Sequence, residues 1–427
     1  MEATIRTLRQ LLGPRGAPRL LSLSQLTSSV GDGLYYVCAA LYFTRIVGLT
    51  PAQLGLGLTV AWTCGFFASI PLGHLADRQG PRRVATFLYL MCGLATASYL
   101  VVRSLPMFLV AATVYAVCSR GASAAQLALL AGVVDKEGRT KTRALLIAIL
   151  NAGLAVGAGL GGLVLLADSE AAYLTAFGAN SLSFVVAALL LSRLPSPPPP
   201  ATQEPDEVRT LEVLRDKPFA VVAVLNAVLV LHLPLIDVAL PLWIVRHTSA
   251  PLWSVSAIFV LNTVMVVFFQ VRVARGVSDL SSATRVLRSA GLLLLAGCVA
   301  YAASAADMPS WAAAGILLLA AAVLTVGEMR QTVATTEISF GLSPEGRHGQ
   351  YQAFFGMGLT AAEAVGPLLL TGLIVYGGWW GWVLLGGGFL LASLAMGPAV
   401  RWGERTRPLQ PGGPAATDPA LPTVSAP

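Results

Sequence analysis

Long apolar segments fill most of the chain, and short polar or glycine- and proline-containing connections separate them. The apolar residues within each segment run continuously, whereas the strands of a membrane β-barrel alternate apolar and polar positions. A helix of about 20 apolar residues crosses the hydrocarbon core of a bilayer. The pattern therefore predicts an all-α membrane protein with twelve transmembrane helices, at residues 20–46, 50–75, 84–103, 106–134, 144–166, 171–193, 218–246, 251–273, 285–305, 310–336, 350–376 and 379–402.

Composition supports this class of protein. Hydrophobic residues make up 56% of the chain and charged residues 11%, whereas about a quarter of the residues in soluble domains are charged. The chain has no room for a soluble catalytic domain, and no phosphate-binding loop, nucleophile–base motif or metal-ligand cluster stands out. We therefore expect no enzymatic activity, no cofactor, no metal and no nucleic-acid partner.

The basic residues predict the orientation in the membrane. If the N-terminus is cytoplasmic, only Arg45, Arg103 and Arg246 fall outside, each at the end of a predicted helix. The basic groups that fall inside include Arg78, Arg82, Arg83, Lys136, Arg139, Lys141, Arg143, Arg209, Arg215, Lys217, Arg272, Arg275, Arg285, Arg288, Arg401, Arg405 and Arg407. Cytoplasmic loops carry such an excess of Lys and Arg. We expect a multi-pass protein of the bacterial cytoplasmic membrane with both termini in the cytoplasm.

Prolines interrupt the hydrophobic pattern at the middle of the chain. Pro195 and Pro197–Pro200, followed by charged residues, indicate an exposed, partly extended linker. This divides the chain into an N-terminal six-helix bundle (1–193), a cytoplasmic linker (194–217), a C-terminal six-helix bundle (218–402) and a disordered tail (403–427). Asp279 and Arg285 in the second half align with Asp77 and Arg83 in the first, which suggests a weak internal repeat.

A charged loop of about ten residues is predicted between the second and third helices, with the sequence Gly73-His-Leu-Ala-Asp77-Arg78-Gln-Gly80-Pro-Arg82-Arg83. It resembles the signature loop of the major facilitator superfamily, with Pro81 in place of a basic residue. The resemblance implies two pseudo-symmetric bundles that rock around a substrate near mid-membrane. It also implies that the loop latches the bundles in the outward-open state through Gly73, Asp77, Arg78, Gly80, Arg82 and Arg83. We expect Asp77→Asn to shift the population toward the inward-open state.

The fifth predicted helix carries Gly153, Gly157, Gly161 and Gly162. Small residues at four-residue spacing let helices approach closely in lipid. The run also resembles the fifth-helix motif of major facilitator antiporters, with Ala158 in place of proline, and that motif is associated with export. Residues 328–366 resemble the region of helices 10 and 11 in twelve-span drug–proton antiporters.

Ionisable residues inside the helices need a partner or a function, because charge near the bilayer centre is costly. Gln25, Ser29, Asp32 and Tyr36 form one polar stripe on the first helix, and Arg120 lies in the middle of the fourth. We expect Asp32 and Arg120 to be partners across a cavity. They form either a fixed ion pair or a proton-coupling site, since burial favours the protonated carboxyl and a nearby arginine the ionised form.

The second half adds three acids within its predicted helices. Glu363 is the further candidate for proton coupling, beside Asp32 and Arg120. Asp237 and Glu328 are expected to line the substrate cavity with Gln25, Ser29 and Tyr36. For His232, a structural role as a hydrogen-bonded histidine is more common than a role as a proton carrier.

The resemblance and these residues together favour one function over two alternatives. The leading hypothesis is proton-coupled efflux of small hydrophobic or cationic molecules by alternating access, powered by the proton gradient and carried out by a monomer. The first alternative is an uptake carrier or uniporter for a metabolite such as a sugar or an amino acid. The second is a membrane sensor that has lost transport.

Overall fold

The computed structural model describes residues 16–134, 136–195, 215–275, 277–344 and 348–406. These residues form helices joined by short connections, and no strand occurs among them. Most of the predicted central linker and of the C-terminal tail lies outside the described residues.

Six helical segments make up the N-terminal half. They are α1 (Ala17–Leu41, continued by a π-helical turn Tyr42–Ile46), α2 (Pro51–Gln79), α3 (Pro81–Ser98), α4 (Leu105–Val133), α5 (Lys136–Ala167) and α6 (Glu170–Ser192).

Six more make up the C-terminal half. They are α7 (Lys217–His247), α8 (Trp253–Ala274), α9 (Leu280–Ala303), α10 (Ser310–Gly341), α11 (His348–Leu370, continued by a π-helical turn Thr371–Tyr376) and α12 (Trp379–Arg405). Helix α7 is interrupted, with pieces Lys217–Leu229, His232–Pro234, a π-helical turn Leu235–Ala239 and Leu240–His247.

Ten of the described helices are long and apolar enough to cross a membrane. The two others are α1, whose polar stripe of serine, glutamine and aspartate lowers its hydropathy, and α3, which has 18 residues and carries Arg82 and Arg83 in its first turn. The predicted class, an all-α membrane protein, is confirmed.

Helix packing follows a twofold pattern. In the first half α1 packs on α5 and α6, α2 on α4, and α3 on α4 and α6. The same contacts recur six helices later, because α7 packs on α11 and α12, α8 on α10, and α9 on α10 and α12. The halves are therefore two pseudo-symmetric bundles.

The prediction of a loop at residues 73–83 is wrong, because most of these residues are helical. Helix α2 continues to Gln79, α3 begins at Pro81, and only Gly80 between them is non-helical. Gly80 has φ +92°, a backbone conformation that residues other than glycine rarely adopt. Pro81 suits the first helical position because its missing N–H needs no partner there. The charged residues of the motif therefore lie on two helix ends.

Asp279, the counterpart of Asp77 in the second half, caps the N-terminus of α9. Its Oδ1 accepts hydrogen bonds from the Ser282 backbone N–H and the Ser281 hydroxyl, both at 2.7 Å. These bonds, the one from the Ser282 backbone first, lower the pKa of the Asp279 carboxyl. The stabilisation by this cap is therefore present at neutral pH and is lost as the pH falls through the lowered pKa.

The two halves meet on one side of the bundle. We call the side that holds the start of α1 and the end of α12 the inner side, and the opposite side the outer side. Near the outer ends, Gly55 of α2 lies against Pro367 of α11, and Gly162 of α5 lies against Ser256 of α8. The structure is therefore closed between the halves on the outer side.

Candidate transport site

A cavity of about 140 Å³ lies between the halves, in the outer part of the bundle. Helices α1, α2 and α4 of the first half and α7 and α11 of the second contribute to its wall. Aromatic side chains dominate the wall on the first half: Tyr35, Tyr36, Phe43, Trp62, Tyr99 and Tyr115. Such rings bind apolar surfaces and, on their faces, cations.

Two carboxyl groups of the second half line the same cavity, those of Asp237 and Glu363. Asp237 lies in the π-helical turn of α7, and such turns often occur at functional sites because they displace a side chain from the regular helical position. Within the described part of the chain, Asp237 has no hydrogen-bond or ion-pair partner.

An ion pair joins the halves beside the cavity, between Arg120 of α4 and Glu363 of α11. The side chains are 27% and 31% exposed, so neither is sealed in a dry core. The Arg120 guanidinium also lies 5.0 Å from the centre of the Trp62 ring, within the range of a cation–π interaction. Arg120 is therefore held by one side chain of each half.

The expected pairing of Asp32 with Arg120 is wrong. Asp32 Oδ1 instead accepts a hydrogen bond of 3.1 Å from the Tyr115 hydroxyl, within the first half. The sequence predicts that Asp32 and Arg120 lie at similar depths, but Glu363 of α11 takes the position facing Arg120. Tyr115 was not anticipated.

A second, more polar pocket lies on the inner side of the first half, lined by residues of α1, α3, α4, α5 and α6. Asp32 and Gln25 line it, and Arg143 lies on its wall at the inner part of α5. Gln126 donates to Gln25 Oε1 at 3.0 Å and accepts from the Tyr89 hydroxyl at 2.7 Å. These bonds satisfy the amides in an otherwise apolar helix bundle.

Arg120 lies between the two pockets. One turn outward on α4, Ala116 lines the outer cavity. On the inner side, Ser123 and Gln126 line the second pocket. Tyr36 borders both. A solute moving between the pockets would pass Tyr36 and the Arg120–Glu363 pair.

The remaining residues predicted for the cavity are distributed differently. Tyr36 and Asp237 line it, and Gln25 lines the inner pocket instead. Ser29 is fully buried where α1 meets Gly153 of α5. Glu328 lies near His232 of α7 instead, and it accepts a hydrogen bond from Asn262 of α8. The placement of Ser29 and Glu328 in the cavity wall is therefore corrected.

The glycines of α5 and the charged motif lie away from the cavity. Gly153, Gly157 and Gly161 face α1, and Gly162 faces Ser256 across the halves. The motif residues lie at the inner ends of α2 and α3, where Arg82 donates to the Leu194 carbonyl at 2.8 Å. The Asp77 side chain lies outside the described residues. The latch stays a prediction.

One signal in the sequence indicates part of the site that was missed. Tyr115, Ser119, Ser123 and Gln126 recur at spacings of four, four and three on α4. This is the same type of polar stripe as on α1. Pairing the two stripes would have placed Tyr115 near Asp32, whereas nothing in the sequence singles out Trp62.

Two pseudo-symmetric helix bundles with a cavity between them are the architecture of secondary transporters. Residues 21–337 match the family model described as Major Facilitator Superfamily. The chain belongs to that superfamily, and it is a membrane transporter.

Solved transporters share the fold at low sequence identity. The nucleoside transporter NupG has a TM-score of 0.68 at 13% identity, covering 91% of this chain and 99% of its own. An auto-inhibited POT family peptide transporter has a TM-score of 0.70 at 15% identity, covering 93% and 98%. A bacterial homologue of the human lysosomal transporter Spinster, inward-facing and occupied, has 0.66 at 14%, covering 91% and 96%. No curated protein sequence matches the chain.

Proposed function

We propose that the protein is a proton-coupled exporter of small molecules that combine a cationic group with an aromatic or apolar body. The observation that carries the proposal is the ion pair between Arg120 and Glu363, which connects the two halves beside the cavity. A transporter of this fold works by moving its halves relative to each other around the substrate. A contact between the halves at the cavity can therefore respond to what the cavity holds.

Glu363 has three alternative partners in this account. Arg120 neutralises it in the state described, a proton neutralises it directly, and a substrate cation can neutralise it from the cavity. In a cavity largely removed from water an uncompensated charge is unfavourable, so each state of the transport cycle favours one of the three partners. Because a proton and a cationic substrate compete for the same carboxylate, inward proton movement drives the substrate outward.

The chemistry of the cavity supports the class of substrate. Its wall contains two carboxyl groups beside tyrosine and tryptophan rings. Its volume of about 140 Å³ lies below the range of roughly 300–1,000 Å³ typical of sites for drug-sized ligands. We therefore infer a small aromatic cation as the ligand of this state.

The direction and the energy source are part of the proposal. With the inner side in the cytoplasm, as the basic residues predict, the described state faces inward and can receive a cytoplasmic substrate. The bacterial cytoplasmic membrane supplies a proton gradient, and one charge moved across about 100 mV yields about 2.3 kcal/mol. The glycine-rich face of α5 resembles the antiporter motif and favours export.

Transport in proteoliposomes tests the proposal. Vesicles with an acidic lumen and the protein inserted inner side outward receive labelled benzyltrimethylammonium, whose permanent charge cannot itself release a proton. We expect the cation to accumulate inside while the luminal pH rises. Labelled glucose and leucine are the comparison probes. If either equilibrates without any change in pH and the cation stays outside, the uniporter alternative replaces this proposal.

A cross-link tests the movement of the halves. A Cβ added to Gly162 would lie 3.1 Å from the Ser256 Cβ, close to the separation of about 3.5–4.5 Å in disulfides. In a variant that lacks the native cysteines, oxidation of Gly162→Cys with Ser256→Cys should reduce transport by at least about tenfold, or about 1.4 kcal/mol. A reducing agent should restore it, because the outer side can then open.

The matched control replaces Gly159, on the same helix, and Ser256. A Cβ at Gly159 has no neighbour within 4 Å, so this pair should neither cross-link efficiently nor change transport. Undiminished transport by a fully cross-linked Gly162–Ser256 pair would contradict alternating access through this contact.

A further inference from the structure

A histidine and a glutamate face each other in the second half, away from the cavity. His232 of α7 is 1% exposed, and its Nε2 lies 3.8 Å from Oε1 of Glu328 on α10. Neither residue lines the outer cavity or the inner pocket. The Arg120–Glu363 mechanism does not involve this pair.

The break in α7 fixes the tautomer of His232. The helix is interrupted after Leu229, and the Leu233 N–H bonds to the Val230 carbonyl rather than to that of Leu229. His232 Nδ1 lies 2.7 Å from the Leu229 carbonyl oxygen. Because a carbonyl only accepts, Nδ1 carries the hydrogen. In the neutral ring, Nε2 then carries a lone pair and lies 3.8 Å from Oε1 of Glu328.

Glu328 is oriented by its other oxygen. Asn262 of α8 donates to Glu328 Oε2 at 2.8 Å and to the Thr325 hydroxyl at 3.0 Å. This leaves Oε1 directed toward His232. His232 Nε2 is buried and has no hydrogen-bond partner among the described residues. An unmet polar atom of this kind is rare inside proteins and calls for an explanation.

We propose that His232 and Glu328 form a second proton-binding site, which holds one proton between Nε2 and Oε1. Without that proton the two lone pairs face each other in a low-dielectric core, which is unfavourable. With it, either the carboxylic acid donates to the imidazole or the imidazolium donates to the carboxylate. Both arrangements satisfy both atoms.

Other ionisable groups around the pair do not supply this proton. On α10, Arg330 is directed to Ser289 of α9. On α9, Tyr301 lies near Glu328, and on α11 Glu363 is paired with Arg120. On α7 itself Asp237 lies five residues onward, and on α1 Asp32 is bonded to Tyr115 and Tyr36 lies near Asp237. At this depth α8 presents the neutral Asn262, and the described part of α12 has its charges at the inner end.

The proton would join the broken part of α7 to α10. The same segment of α7 carries Asp237 in the turn that follows. Drawing Nε2 and Oε1 from 3.8 Å to a hydrogen-bond distance of about 2.7–3.0 Å would fix the position of that turn. The site therefore links proton binding in the second half to the geometry of the cavity wall.

Nitrogen NMR of the histidine rings tests this site directly. The purified protein is labelled with ¹⁵N-histidine, and the His232 signal is assigned by its loss in His232→Gln. At pH 7 we expect Nε2 of His232 to show the shift of a protonated or strongly hydrogen-bonded nitrogen. In Glu328→Met, which is close in size and has no N–H or O–H to donate, we expect the signal to move toward that of a nitrogen with a free lone pair.

Two further variants separate the explanations. Glu337→Gln, on the same helix, should leave the His232 signal unchanged. Glu363→Gln should leave it unchanged as well, so the site can stand even if the proposed export mechanism fails. A His232 Nε2 with a free lone pair in the wild type at pH 7, and the same signal in Glu328→Met, would overturn the proposal.

Discussion

Replacing Glu363 with glutamine is expected to abolish pH-driven accumulation of benzyltrimethylammonium in proteoliposomes. Glutamine has nearly the same shape, but it neither binds a proton in this pH range nor carries the charge that attracts a cation. The contact between the halves also changes, because Arg120 no longer faces a negative charge. We expect the accumulation ratio to fall to that of protein-free vesicles, a loss of at least about tenfold, or about 1.4 kcal/mol.

The control for this prediction is Glu404→Gln. Glu404 is exposed at the inner end of α12, and its neutralisation should leave accumulation unchanged. Arg120→Gln tests the other partner, because it should retain cation binding at Glu363 when the competing arginine is absent. Wild-type accumulation by folded Glu363→Gln would remove this residue from the mechanism.

Gly157→Ala is expected to destabilise the folded protein more than any other alanine substitution within the glycine face of α5. A Cβ at this position would collide with the Val30 carbonyl oxygen and lie 2.8 Å from the Leu34 backbone nitrogen. Both are main-chain atoms of α1, so neither can rotate aside and the helices must separate. Overpacking of this kind typically costs about 1–3 kcal/mol. The measurement is thermal unfolding in detergent, followed by the fraction of monodisperse protein that remains.

Gly159→Ala, two residues away, is the matched control. Gly159 is exposed, and a Cβ there has no neighbour within 4 Å. Alanine favours helix over glycine by about 1 kcal/mol, so this variant should be as stable as the wild type or more stable. Equal stability of the two variants would show that α1 and α5 are not in close contact at Gly157.

Most of the fold could be predicted from the sequence, because a bilayer imposes length and hydropathy on each helix. The segments around 106–134 and 379–402 correspond closely to α4 and α12. The loop predicted at 73–83 is wrong because charged residues on a short connection do not by themselves make the backbone irregular. Arginines at a membrane surface can equally continue a helix and extend into water, and Gly80 with Pro81 is sufficient for the turn.

The site was less predictable for a physical reason. Periodicity shows which residues of one helix share a face, and it identified Asp32 and Tyr36 together. It does not show which helix lies opposite that face. The pairing of Arg120 with Glu363 depends on how close the halves approach in one state, and the separation of Glu328 from the cavity depends on the path of the broken α7. Both are properties of the tertiary structure.

In the proposed mechanism a proton and a cationic substrate compete for Glu363. Proton release on binding of benzyltrimethylammonium measures it most directly, with purified protein in weakly buffered detergent solution near the pH at which transport is greatest. We predict release of up to about one proton per cation bound, since linkage requires that competing ligands displace each other, and none from Glu363→Gln. Binding of the cation to the wild type without any proton release across the working pH range would contradict the account.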